Sequence, residues 1–221
     1  GKYIVETYVD ATMYHSDSCI LYDSSQETTI ENVGNTDTNF RVTTNVTNVP
    51  GDLTEIRHAI WSDANGQDDL RWITGTRNGD SWITDYTTFS SYGTYYVHTY
   101  ALMNDGSLIM LQAQTFEVSR PTWDIEIENQ DDESGTFDIV IKNIESKSGV
   151  SQIQVPVWCA ADQNDIYWYT AEKQRDGSYR VSVSFANHKY HTGEYTIHTY
   201  LTDGNGFTTL KGAENLSLIH I

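Results

Sequence analysis

The stretch best spaced to hold a cation is Asp63-Ala-Asn65-Gly-Gln67-Asp68-Asp69. Oxygen donors recur there as in the opening of a calcium loop, but no bidentate glutamate closes it. Its counterpart later in the chain, Ala160-Ala-Asp162-Gln-Asn164-Asp165, lacks the first acid. The pattern favours a hydrogen-bonded loop and no cofactor; were calcium held, Asp63, Asn65, Asp68 and Asp69 would be its ligands. Asp69 and Asp165 each precede a tryptophan by three residues, which suits bracing a loop better than general acid chemistry. No nucleophile stands beside a base in a recognisable pattern, so the chain reads as a non-enzyme. His98 and His198 occupy equivalent places in separate copies of one phrase, too far apart in sequence logic for a shared metal. They read as structural, hydrogen-bonded histidines.

Aromatic side chains are the more informative group. In Leu53–Trp61, Ile56, His58 and Ile60 alternate with Ala59 and Trp61; in Val150–Trp158, Ile153, Val155 and Val157 alternate with Pro156 and Trp158. Period alone puts the aliphatic face inside and exposes Trp61 and Trp158. A strand-C tryptophan in an immunoglobulin-like sandwich is instead buried, and burial is favoured because a wet tryptophan is costly. On the next strand Leu70/Trp72 and Ile166/Trp168 share the face assigned to the core. Arg71, Ile73, Tyr167 and Tyr169 remain on the other face as binding candidates, with Trp61 and Trp158 behind them. Tyr and Arg are enriched where proteins meet proteins, and tyrosines on a sheet can stack on sugar rings.

These residues need elements to position them, and the sequence names those elements by repetition. Gly93-Thr-Tyr-Tyr-Val-His-Thr-Tyr100 and Gly193-Glu-Tyr-Thr-Ile-His-Thr-Tyr200 are two copies of one phrase, and Gly1-Lys-Tyr-Ile-Val-Glu-Thr-Tyr8 is a third. Each reads as a β-strand entered through glycine. Tyr95 and Tyr195, with Tyr3 in the same pattern, sit where a sandwich tyrosine bonds back to upstream backbone and pins a corner. Asn78-Gly79, Asp105-Gly106, Asp176-Gly177 and Asn205-Gly206 are hairpin-turn pairs. A period near 100 residues makes the chain a tandem array. It divides into a partial repeat over residues 1–23, the closing hairpin of a preceding module, and full repeats over 24–120 and 121–221. An orphan hairpin is marginal alone, so it should pack on the first repeat or pair with another chain. The short join at Ser119-Arg-Pro-Thr122 predicts a semi-rigid line of repeats. The fold expected is all-β: tandem immunoglobulin-like antiparallel β-sandwiches.

Charge excludes some partners. The 221 residues carry 13 Lys+Arg against 31 Asp+Glu, a formal charge of −18. Nucleic acid binding needs clustered cations, and an anionic membrane surface would repel the chain. No apolar run approaches the ~18 residues of a membrane-spanning helix. No signal peptide opens the sequence, so an exported protein would contain this as a mature internal fragment. Cys19 and Cys159 have no equivalents in the other repeat, and both are expected reduced.

The segment Thr136–Gly206 resembles the GBS Bsp-like repeat. The resemblance is carried by Gly149-Val-Ser-Gln-Ile-Gln-Val-Pro-Val-Trp158, Gln163-Asn-Asp-Ile-Tyr-Trp-Tyr169, Asn187-His-Lys189 and Gly193-Glu-Tyr-Thr-Ile-His-Thr-Tyr200. The first repeat is similar through Trp61–Trp72, but Ser90-Ser-Tyr92 stands where Asn-His-Lys would be. The resemblance implies an extracellular, non-catalytic module of Gram-positive surface or secreted proteins, with no catalytic residues to transfer. The expectation is an adhesive region engaging a host protein or glycoprotein such as immunoglobulin. The alternatives are targeting of bacterial cell-wall glycan on behalf of a hydrolase, or a spacer.

Overall fold

The structure is a computed structural model that describes residues 2–20, 25–64 and 66–218. Eighteen strands account for most of them. A hairpin of β1 (Lys2–Val9) and β2 (Thr12–Ile20) turns at Asp10 and Ala11, both at positive φ. In the first repeat, β3 (Ser25–Asn32), β4 (Phe40–Thr47), β7 (Thr76–Asn78) and β8 (Ser81–Tyr86) form one sheet, ordered β3-β4-β8-β7. The other sheet holds β5 (Leu53–Ser62), β6 (Arg71–Thr74), β9 (Gly93–Met103) and β10 (Leu108–Val118), ordered β10-β9-β5-β6. The second repeat uses the same plan. Its first sheet joins β11 (Thr122–Asp131), β12 (Thr136–Glu145), β15 (Glu172–Lys173) and β16 (Tyr179–Ser184) in the order β11-β12-β16-β15. Its second joins β13 (Val150–Trp158), β14 (Tyr167–Thr170), β17 (Gly193–Asp203) and β18 (Thr208–Leu218) in the order β14-β13-β17-β18. These are tandem immunoglobulin-like β-sandwiches, as the alternation predicted.

Period-2 patterning explains why each sheet has one dry face. Along β17, Tyr195, Ile197, Thr199, Leu201 and Asp203 are all buried, and the residues between them reach solvent. Ile153, Val155 and Val157 of the second sheet meet Phe137, Ile139, Ile141, Val181 and Val183 of the first in one apolar core. Each such side chain contributes roughly 1.5–3 kcal/mol on burial. The chain crosses between sheets at Gly75 and Ala171, whose N–H groups donate to the carbonyls of Ile56 and Ile153 (2.9 and 3.0 Å). The hairpins close at Asp105-Gly106 and Asn205-Gly206, with the glycines at φ 84° and 85° and bonds from Met103 N to Ser107 O and Asp203 N to Phe207 O.

The first repeat's core is aromatic at one end and contains a polar layer around His58. Phe116 stacks on Phe40 (4.1 Å) and on Tyr95 (5.2 Å), bridging its two sheets. His58 is fully buried, and its ring nitrogens lie 3.0 Å from Thr44 Oγ1 and 2.8 Å from Thr84 Oγ1. Thr28 joins them through Thr44 at 2.9 Å. Loss of hydration lowers the His58 pKa to about 4.

The described chain forms two compact units: Gly1–Glu31, Phe40–Tyr86 and Thr94–Phe116, and Asn32–Asn39, Thr87–Gly93 and Glu117–Ile221. Within the second, the buried Asp37 carboxylate accepts from Asn32 Nδ2 and Ser119 N, each at 2.8 Å. Within the first, the β1–β2 hairpin leaves Ile4, Val5, Tyr8, Val9 and Met13 more than half exposed. Among the described residues no helix is long and apolar enough to cross a membrane.

Candidate functional site

The outward-facing rows of β5, β6 and β9, and of β13, β14 and β17, carry the same four rings. Ala59 pairs with Trp72 on one side and with His98 on the other, while Trp61 pairs with Tyr96. Their neighbour Tyr100 lies 5.1 Å from the Trp72 ring and 6.3 Å from His98, and the edge of His98 meets Trp61 at 4.7 Å. In the second repeat Pro156 pairs with Trp168, which lies 5.5 Å from Tyr200. His198 is 6.4 Å from Tyr200 and meets Trp158 edge-on at 4.8 Å. Each sandwich thus presents a stripe running tryptophan, histidine, tyrosine, tryptophan across one sheet. The far tryptophan of each, Trp72 and Trp168, is 50% exposed.

Small residues under the rings make this possible. Ala59 and Pro156 fill the middle of each outward row and are themselves buried, so the bulky neighbours close over them. The stripes differ at one end. Tyr96 stacks on Trp61 at 5.5 Å, leaving that indole 9% exposed; Thr196 takes the equivalent place, and Trp158 is only half-buried. Polar groups flank the tyrosines. Arg57, paired across from Tyr100, is held by Glu55 at 2.9 Å, and Gln154 pairs across from Tyr200.

Three expectations need correcting. Trp72 and Trp168 do not face the core, because their strand partners Ala59 and Pro156 belong to the outward row. Ile73 and Tyr169 consequently turn to the inner side, opposite His58 and Val155, and are half-buried. The Tyr169 hydroxyl is engaged by His188 Nε2 (3.0 Å) and Asn187 Nδ2 (3.1 Å). Arg71 and Tyr167 share that inner side but sit on edge strands, where the sandwich rim leaves them exposed. Trp158, for which burial is favoured equally with Trp61, is only half-buried; Trp61 is buried on the outer face, under Tyr96 and His98.

The remaining residues serve the frame. Tyr195 is fully buried and its hydroxyl donates to His191 O, four residues upstream, at 2.6 Å. Tyr95 is equally buried against Phe116; the side chain of Tyr3 lies outside the described residues, as does that of Cys19. Cys159 is a free thiol whose pKa burial raises. His98 and His198 lie in the stripes as ring contacts.

Asp69 accepts from Ser62 N at 3.0 Å. Asp165, 3% exposed, accepts from Ala160 N (3.0 Å) and Cys159 N (3.1 Å) and meets His191 Nδ1 at 3.0 Å. Burial alone would raise its pKa, but those hydrogen bonds together hold it below the usual carboxylate range. Asp63 and Asp68 are exposed, and Asn65 lies outside the described residues. Among the described residues no group of three His, Cys, Asp or Glu could hold a metal ion. The Asn187-His188-Lys189 motif ties a short 3₁₀ turn to this loop, through His188 Nδ1 to Asp165 O and Lys189 Nζ to Asn164 Oδ1, both 3.0 Å.

The profile of the GBS Bsp-like repeat matches residues 29–116 and 126–216. The chain belongs to this family. Its repeats occur in bacterial surface or secreted proteins. No curated protein matches the chain. Among solved structures it is similar to a polysaccharide deacetylase from Bacillus cereus, at 15% identity and TM-score 0.35, over 45% of this chain and 31% of that one. It is also similar to the FN1–FN3 domains of chicken CNTN1, at 15% identity and TM-score 0.34, over 80% of this chain and 62% of that one. This GBS Bsp-like chain therefore spans less than two thirds of the length of either.

Proposed function

We propose that the two GBS Bsp-like repeats are non-catalytic, extracellular glycan-binding modules of a bacterial surface protein, engaging sugar on a host glycoprotein such as immunoglobulin. The observation that carries this reading is the duplicated stripe with a half-exposed tryptophan in each copy. The face of a pyranose is a patch of weakly positive C–H groups, and an indole or phenol face is its electrostatic complement. Flanking Arg57 and Gln154 supply hydrogen bonds to ring hydroxyls, the usual division of labour between apolar wall and placed polar group. A neutral glycan is indifferent to a charge of −18, whereas anionic wall polymers are repelled by it, within the ~8 Å reach that salt allows.

Two stripes on one chain also give avidity on a branched or clustered glycan. The backbone pairing of residues 2–20 supports reading them as the closing hairpin of a further copy. Lys2–Val5 pairs with Asp17–Ile20 in the same sense and register as Glu194–Ile197 with Glu214–Ser217.

The test is retention of the chain on pooled immunoglobulin before and after enzymatic deglycosylation, with purified wall sacculi in parallel. Binding should vanish with the glycan and fall about 30-fold in Trp72→Ala/Trp168→Ala, the scale of a hot-spot aromatic. Retention on sacculi alone would move the target to the bacterium's own wall, and an unaffected double variant would remove the stripe from the interface.

A further inference from the structure

The first sandwich contains a cavity of about 210 Å³ lined mainly by Val46, Leu53, Ile56, Ala101, Met103 and Leu111. It reaches the surface at Ile109, which is 48% exposed. Its origin follows from comparing the repeats. Gln26 stands at the position of Trp123 and Ala101 at that of Leu201. In the second repeat both large side chains are buried, and the Trp123 indole donates its N–H to Thr199 Oγ1 at 2.8 Å. The first repeat returns part of the lost volume through Trp82 in place of Tyr179 and Met103 in place of Asp203. The remainder is open. Gln26, which lines it, donates from Nε2 to Leu111 O at 3.1 Å, while its Oε1 is buried without a hydrogen-bond partner.

We propose that this cavity is a binding site for a small uncharged bicyclic aromatic of the indole class. Three features agree on that chemistry. The fold itself places an indole at this location in the sister repeat. The lining is apolar, and smaller apolar cavities of about 150 Å³ already accept benzene. The Gln26 Oε1 acceptor lacks one donor, which an indole N–H supplies. The site is on the inner side of the sheets and independent of the aromatic stripe.

The probe is indole, titrated into the intact chain and followed by the methyl resonances of Ala101, Met103 and Ile56. Saturable binding with a Kd on the order of 0.1–1 mM is expected for so small a ligand. Benzofuran, equal in shape but without the N–H, should bind several-fold more weakly, and Gln26→Met should abolish that preference. Ala101→Leu, which copies Leu201, should weaken indole at least tenfold while keeping or raising the Tm. No saturation at 2 mM (on the order of the weak limit above), unchanged affinity in Ala101→Leu, or no shift of the Ala101, Met103 and Ile56 methyls would each overturn the assignment.

Discussion

Replacing His58 by valine copies Val155, its counterpart in the second repeat, and tests whether the buried polar layer makes the first repeat acid-labile. Folding lowers the His58 pKa from 6.5 to about 4 because the ring is stripped of water. Both flanking hydroxyls can accept, so desolvation opposes the proton, not a missing partner. The sign follows. Above pH 6.5 both states are neutral and nothing is lost; as pH falls the unfolded chain takes the proton first, and stability declines until the folded pKa is reached. Linkage gives a loss of about 2 kcal/mol by pH 5 and about 3 kcal/mol by pH 4. For a domain near 100 residues the first value is a Tm drop of about 8–16 °C. At pH 7 the variant itself should be about 1–3 kcal/mol less stable, since Thr44 and Thr84 lose a buried partner. Calorimetry of the full chain from pH 7 to 4 resolves this: the transition moved by His58→Val is the first repeat's. Its acid sensitivity should shrink by the amount calculated, with carboxylate effects cancelling between wild type and variant. Parallel pH curves would refute the reasoning.

Asp165→Ala should orphan the Cys159 and Ala160 N–H groups and cost about 2–3 kcal/mol, seen as a lower Tm of the second repeat. Because the Asp165 pKa is depressed in the fold, its contribution is present above the unfolded carboxylate pKa and lost as pH falls through the folded one, so wild type and variant should converge in acid. Tyr195→Phe removes the bond to His191 O and should destabilise by about 1 kcal/mol without altering glycan retention. Trp168→Ala should weaken retention at a stability cost of about 2–4 kcal/mol, from the buried half of its area plus one ring pair; circular dichroism melts check it.

Alternation and glycine-marked turns were enough to read the sandwiches, because both are local and period 2 is enforced at every buried strand. Alternation also put His58 on the face of Ile56 and Ile60, where it lies. It could say that Leu70 and Trp72 share a face, but not which face. That choice depends on register against β5, and Ala59 opposite Trp72 decides it. The signal was present in the small Ala59 and Pro156 at the centre of otherwise bulky rows, which leave room for a ring only on their own side. The roles of Tyr169 and Asn187-His188-Lys189 were hidden because their bonds join segments about twenty residues apart across a loop. The cavity was likewise out of reach: Gln26 and Ala101 are distant in sequence, and only the paired sheets place them on one void.

Both repeats keep the four rings of the outer stripe, while several of their core positions differ. Core positions have changed together: His58 for Val155, Thr44 for Ile141, Thr84 for Val181, Gln26 for Trp123, Ala101 for Leu201. Concerted exchange of that kind is tolerated if volume and partners are kept. On the outer face Trp61/Trp158, Trp72/Trp168, His98/His198 and Tyr100/Tyr200 are the same residues in the same contacts. The contact of each half-exposed indole with one phenol adds about 0.5–1.5 kcal/mol to what its buried area contributes. Shared outer rings over cores that differ are what the proposed glycan contact would require of both copies. Under the proposed function, the half-exposed rings of Trp72 and Trp168 are the contact.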